Sequence, residues 1–208
     1  MKDRKSMIKT TVTLGLFTAI SIIMTVTPLG TIRLFWTEAT IAHLPVVILA
    51  VLGGPLLGAA GGLILGLISM IYCIMNPVML NVYIANPLVS IPARVLIGFL
   101  AGLVYKCMNK AFVKGERKGV KDAASIAVSA ALGSLANTAG VLGMLYLLYG
   151  RRIAAELMEL NTDTEQWRTI VLTALLGIAT SQGLMEMALV AVVTVIVVKA
   201  LRRAGYKQ

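Results

Sequence analysis

Arg94, Asn137, Thr138, Gln182 and Glu186 stand inside long apolar runs, and Arg94 closes a stretch from Ala39 to Ala93 that holds no Asp, Glu, Lys or Arg. A guanidinium in such surroundings grips a carboxylate or phosphate through paired, charge-assisted hydrogen bonds, or it serves an internal ion pair or snorkels to the surface. The amides of Asn137 and Gln182 and the hydroxyl of Thr138 either orient a polar ligand or bond helix to helix. Glu186 reads as a structural acid or as a proton- or ligand-binding one. His43 is the only histidine. Without Cys, Asp or Glu nearby it makes a poor metal centre and a better hydrogen-bonded helix start. Trp36 is an interfacial aromatic, or a stacking surface and gate over a cavity mouth. Asn81, Tyr83 and Asn86, in an uncharged segment bounded by Asn76-Pro77 and Asn86-Pro87, complete the candidate binding set. No catalytic constellation and no metal site emerges. The enzymatic alternative rests on His43 and Glu186 and requires the two to converge.

The elements that position these groups follow from composition. Of 208 residues, 58% are hydrophobic and 13% charged, against about 45–50% and 25% in soluble domains. A bilayer crossing takes about 20 apolar residues as a helix. The expected architecture is an all-α integral membrane protein: one domain over residues 1–208, a compact bundle of six transmembrane helices near 7–26, 39–52, 55–74, 88–105, 123–149 and 170–198. Span two is short for a bilayer, so its outer end belongs in a protein-lined cavity. Residues 151–167 read as an amphipathic outer helix or lid, and Glu186 interrupts the last span. The first apolar run lacks a small-residue cleavage site and reads as a retained helix.

The net charge of +10 does not call for nucleic acid. Basic residues gather before the first run (Lys2, Arg4, Lys5, Lys9), in one interior loop (Lys106 to Lys121) and after the last run (Lys199, Arg202, Arg203, Lys207). An even number of spans separates these clusters, which places all three, and both termini, in the cytoplasm. Cys73 and Cys107 then lie at opposite membrane faces, too far apart for a disulfide. Small residues recur every fourth position: Gly54, Gly58, Gly62 and Gly66; Gly98 and Gly102; Ser125, Ser129, Gly133 and Asn137; Thr11, Gly15 and Ala19. Such faces let helices approach closely in lipid. They serve internal packing, and the Thr11 stripe serves either that or a partner. No phosphate loop, His-Glu-x-x-His or Gly-x-Ser-x-Gly occurs, so any ATP is hydrolysed elsewhere.

The runs His43-Leu44-Pro45-Val46-Val47-Ile48, Gly54-Pro55-Leu56-Leu57-Gly58-Ala59 and Gly62-Leu63-Ile64-Leu65-Gly66-Leu67, followed by Asn86-Pro87 through Pro92-Ala93-Arg94-Val95 to Gly98, resemble the substrate-binding S components of energy-coupling factor (ECF) vitamin transporters. The branch they resemble includes pantothenate and folate binders. One departure stands out, Ala93 between Pro92 and Arg94. The resemblance covers nearly the whole chain. It implies a small vitamin held in an outward-facing cavity, pantothenate first and folate next. It also implies docking on a transmembrane coupling subunit with two cytoplasmic ATPases, and delivery by toppling in a bacterial plasma membrane. The chain itself then needs no cofactor and is not an enzyme. Family members dock through a small-x-x-x-small face on helix one, which Gly15 and Ala19 match, with Thr11 a turn before. The alternative is a stand-alone ion-coupled carrier that uses Glu186.

Overall fold

The computed structural model describes residues 2–27, 30–34, 37–77, 80–113, 119–157 and 165–206. In chain order these form α1 (Lys2–Val26), β1 (Thr31–Leu34), β2 (Thr37–Thr40), α2 (Leu44–Gly53), α3 (Pro55–Met75), the single turn α4 (Asn81–Ile84), α5 (Pro87–Met108), α6 (Val120–Leu157), α7 (Gln166–Ile178) and α8 (Leu184–Arg203). π-helical turns extend α5 over Asn109–Val113 and join α7 to α8 over Ala179–Gly183. Among the described residues, five helical stretches are long and apolar enough to cross a membrane: Met7–Val26, Pro55–Met75, Pro87–Phe112, Val120–Glu156 and Gln166–Arg203.

The sixth expected span is different. Residues 37–40 pair with 31–34 as an antiparallel hairpin, Thr31 opposite Thr40 and Leu34 opposite Thr37, and helix begins only at Leu44. Thr and Ile favour a pleated backbone, and Pro45 is at home in a helix's first turn. Helix α2 therefore has 10 residues, about 15 Å of rise against a hydrocarbon core of about 30 Å. Every residue from Leu44 to Leu52 is buried, as an all-round apolar helix must be. It packs on α1, α3, α5, α6 and α8, so it is the axis of the bundle and not a lipid-facing span. Gly54, at φ +86°, turns the chain directly into α3.

Two further expectations are corrected. Helix α6 does not stop near Tyr149. It runs on to Leu157, so residues 151–157 are no separate lid; 158–164 lie outside the described residues, and Gln166 and Trp167 already belong to α7. A helical glycine costs about 1 kcal/mol. Burying Ile153 and Ala154 offsets that cost at Gly150, where an added methyl would come within 3.2 Å of the Trp167 ring. The break in the last span falls at Ala179–Gly183, one turn before Glu186, which itself sits inside α8.

Helices α3 and α5 touch backbone to backbone. A methyl on Gly62 would overlap the carbonyl oxygen of Arg94, and one on Gly98 that of Gly58; apart from Gly54 in the turn, both glycine stripes are spent on this seam. Both termini lie at one end of the bundle. There Arg202 Nη1 donates to both Asp122 carboxylate oxygens, at 2.8 and 3.1 Å, and Nη2 donates to the Tyr105 hydroxyl at 2.7 Å. Tyr105 in turn donates to Asp122 at 2.9 Å. A fully buried acid needs this much compensation, and it joins α5, α6 and α8.

Candidate functional site

Because α2 fills only the half of the axis nearest Arg202, the half beyond its start at His43 is built by the other helices, with the hairpin at its end. Strand β2 packs against residues 179–183 and α8. Three faces of α5 can be told apart at 100° per residue. Ile91, Val95 and Gly98 face α3, where Gly66, Gly62 and Gly58 approach them. Ala93 and Ala101 face Gly140 and Gly133 of α6. Leu96, Phe99 and Leu103 are exposed and point to lipid. Arg94 falls between the α3 and α6 faces, on the side of the axis.

Arg94 follows Pro92, which lacks an N–H and so breaks the backbone ladder of α5 two residues earlier. Its Nη1 is buried and has no hydrogen-bond partner among the described residues. Cys73 of α3 and Glu186 of α8 are its nearby ionisable neighbours. Asn137 lies on α6 between Gly133 and Gly140, and its Oδ1 is likewise buried without a partner. One is an unmet donor and the other an unmet acceptor. Buried polar groups in folded proteins are nearly always bonded, so each orphan calls for an explanation.

His43 does what a helix-start histidine does: buried at the head of α2, its Nε2 lies 3.2 Å from the Ser134 hydroxyl of α6. Thr138, one turn beyond Ser134, sits where a side chain on Gly183 would touch it. Its hydroxyl makes a long 3.4 Å bond to the Ser134 carbonyl. Gln182 is half-buried in the π-turn, a backbone irregularity that often marks a functional position. Arg94, Asn137, Thr138, Gln182, Glu186 and His43 thus come from four helices to the hairpin-side half of the bundle. Trp36 lies outside the described residues.

A second group gathers at the hairpin end. The Tyr83 hydroxyl donates to Glu156 Oε2 at 2.5 Å, and its ring meets that of Tyr149 at 5.0 Å. Asn86 caps α5 by accepting from Leu88 N–H at 2.9 Å and donates to the Tyr149 hydroxyl at 2.6 Å. Asn81 donates to the Asn76 carbonyl. These residues clamp the 80–87 segment onto the far end of α6, and they spend these polar atoms on the chain itself. The hydrogen bond to Glu156, with burial, pushes the Tyr83 phenol up to about 12. Ser134, Tyr149 and Glu156 escape a sequence reading because nothing in their own neighbourhood marks them; only the fold supplies their partners.

Helix α1 buries Thr13, Phe17 and Ser21. Thr11, Gly15 and Ala19 are exposed on the other side, and nothing among the described residues comes within 4 Å of a side chain built on Gly15. Among the described residues the stripe takes no part in packing. Cys73 is buried and Cys107 exposed, both as free thiols.

A family model described as ECF transporter, substrate-specific component, matches residues 9–198. No match was found among curated proteins.

Proposed function

Because this chain belongs to the ECF transporter substrate-specific component family, we propose that it captures a carboxylate-bearing vitamin, pantothenate first and folate next. It is the substrate-binding subunit of a multi-pass membrane transporter, and the family carries with it a small-molecule substrate and the ECF module as partners. The observation that supports the ligand class is that two of the four buried side-chain atoms without a partner among the described residues, Arg94 Nη1 and Asn137 Oδ1, lie in the hairpin-side half of the bundle. An anionic carboxylate meets the first, and a hydroxyl or amide N–H meets the second. Pantothenate offers a carboxylate, an amide and two hydroxyls on a flexible frame. Folate offers carboxylates and a flat ring that asks for a stacking surface, for which Trp36 is the candidate.

The vitamin enters from the hairpin side, which faces away from the cytoplasm, with both termini inside. Gln182, Thr138 and His43 border the site. Tyr83, Asn81 and Asn86 act by holding the segment above it. The exposed Thr11, Gly15 and Ala19 face seats on the transmembrane coupling subunit, and the module's two ATPases supply the energy. Toppling of the loaded chain in the bacterial plasma membrane carries the site inward. The chain needs no cofactor of its own. Equilibrium binding of a panel of labelled vitamins to the purified chain tests this reading. Binding of pantothenate supports it, binding of another carboxylate vitamin alone exchanges the substrate, and binding of no carboxylate vitamin overturns the ligand class.

A further inference from the structure

We infer that the last described turn of the chain, Arg202–Tyr206, is a clasp that sets the orientation of α1 for docking, with Tyr206 as its positioning residue. The inference rests on the reading of α1 as the docking helix. Among the long helices α1 is held by few neighbours. It packs on α2 and α3 and makes no comparable contact with α5, α6 or α8 among the described residues.

Tyr206 supplies what the helix faces do not. Its hydroxyl lies 3.1 Å from the Thr13 hydroxyl, and Lys9 Nζ stands 4.6 Å above its ring centre. Thr13 is two residues from both Thr11 and Gly15, hence on the opposite face of the helix. Tyr206 therefore backs α1 directly behind the exposed stripe. A hydrogen bond and a cation–π contact together fix both the rotation and the tilt of this half of α1.

The chain is built to deliver that ring. Helix α8 ends in a Schellman turn: Gly205, at φ +92°, donates its N–H to the Arg202 carbonyl, and the Tyr206 N–H bonds the Leu201 carbonyl at 3.0 Å. Only glycine takes that φ without strain. The reversal lays Tyr206 against the apolar cluster around α2. Within the same five residues, Arg202 holds Asp122 of α6 and Tyr105 of α5. One short segment thus ties the docking helix to the two helices that carry Arg94 and Asn137. A membrane subunit that seats its helices against the small-residue face meets a surface already aligned with the binding half of the bundle.

The test uses the full chain in lipid nanodiscs with its coupling module. Tyr206→Ala should weaken assembly with the module up to about tenfold, while labelled pantothenate binding stays near wild type and the unfolding midpoint falls by only about a few degrees. Tyr206→Phe keeps the ring contact and loses the hydrogen bond, so it should fall between. Wild-type assembly of Tyr206→Ala, alongside loss of assembly in Gly15→Leu, would overturn the clasp and leave the docking face standing. Normal assembly of Gly15→Leu would remove the docking reading, and the clasp with it.

Discussion

Tyr83 and Glu156, 73 residues apart in sequence, share a 2.5 Å hydrogen bond that pins the α3–α5 connection to the far end of α6. The bond favours the protonated phenol, which titrates near 12 when folded against about 10 when unfolded. The stabilisation is therefore fully present below about pH 10 and is lost as pH rises through about 12. The difference in tyrosinate absorbance between wild type and Glu156→Gln should show a late-titrating tyrosine that moves towards the ordinary value in the variant. An unchanged titration in that variant would mean that the bond is not the cause.

At the opposite end of the bundle, Arg202 and Asp122 are a buried pair with exposures of 14% and 0%. Removing one partner strands the other, at a cost of about 3–5 kcal/mol. Asp122→Ala should lower the unfolding midpoint in detergent sharply, and Arg202→Met in the same background should restore part of it. A midpoint unmoved by Asp122→Ala would show that the network carries no stability.

Gly98 stacks on Gly58 so closely that no side chain fits. Gly98→Val must separate α3 from α5, with a loss of about 3 kcal/mol or more expected from overpacking and lost contacts. Thermal unfolding of the purified variant checks this. Gly177, which has nothing within 4 Å among the described residues, is the matched control and should tolerate alanine.

Arg94 carries the ligand reading. Arg94→Ala should weaken vitamin binding by about 2–5 kcal/mol if its partner is a buried carboxylate, and Arg94→Lys should recover little because the paired geometry is lost. Isothermal titration with pantothenate measures both, and unchanged affinity in Arg94→Ala would remove it from the site. On the docking face, Gly15→Leu with Ala19→Leu should abolish uptake while leaving that titration unchanged.

The sequence exposes those features that lipid makes expensive. Arg94 and Asn137 are conspicuous because an apolar run makes any polar residue costly, and one side-chain atom of each proves buried and unmet among the described residues. The glycine stripes of α3 and α5 are legible for the same reason, as four-residue spacing is the signature of a close helix seam. What escaped has a common cause. Nothing in Leu44–Leu52 distinguishes an axial helix wrapped by protein from a lipid-facing one, because both are uniformly apolar. The hairpin before it and the continuation of α6 to Leu157 are tertiary decisions, made by the packing of β2 on α8 and of Trp167 on Gly150. The links from His43 to Ser134 and from Thr13 to Tyr206 span 91 and 193 residues, beyond the reach of any local pattern.

In the proposed function this polypeptide captures its vitamin unaided and moves it only with a coupling module. Uptake of labelled pantothenate by cells expressing the chain, with and without the transmembrane coupling subunit and ATPases, tests that division of labour. Accumulation above the outside concentration should require the module and stop when its ATPases are inactivated. Accumulation by the chain alone, collapsing with a protonophore and with Glu186→Gln, would contradict the account and identify an ion-driven carrier instead.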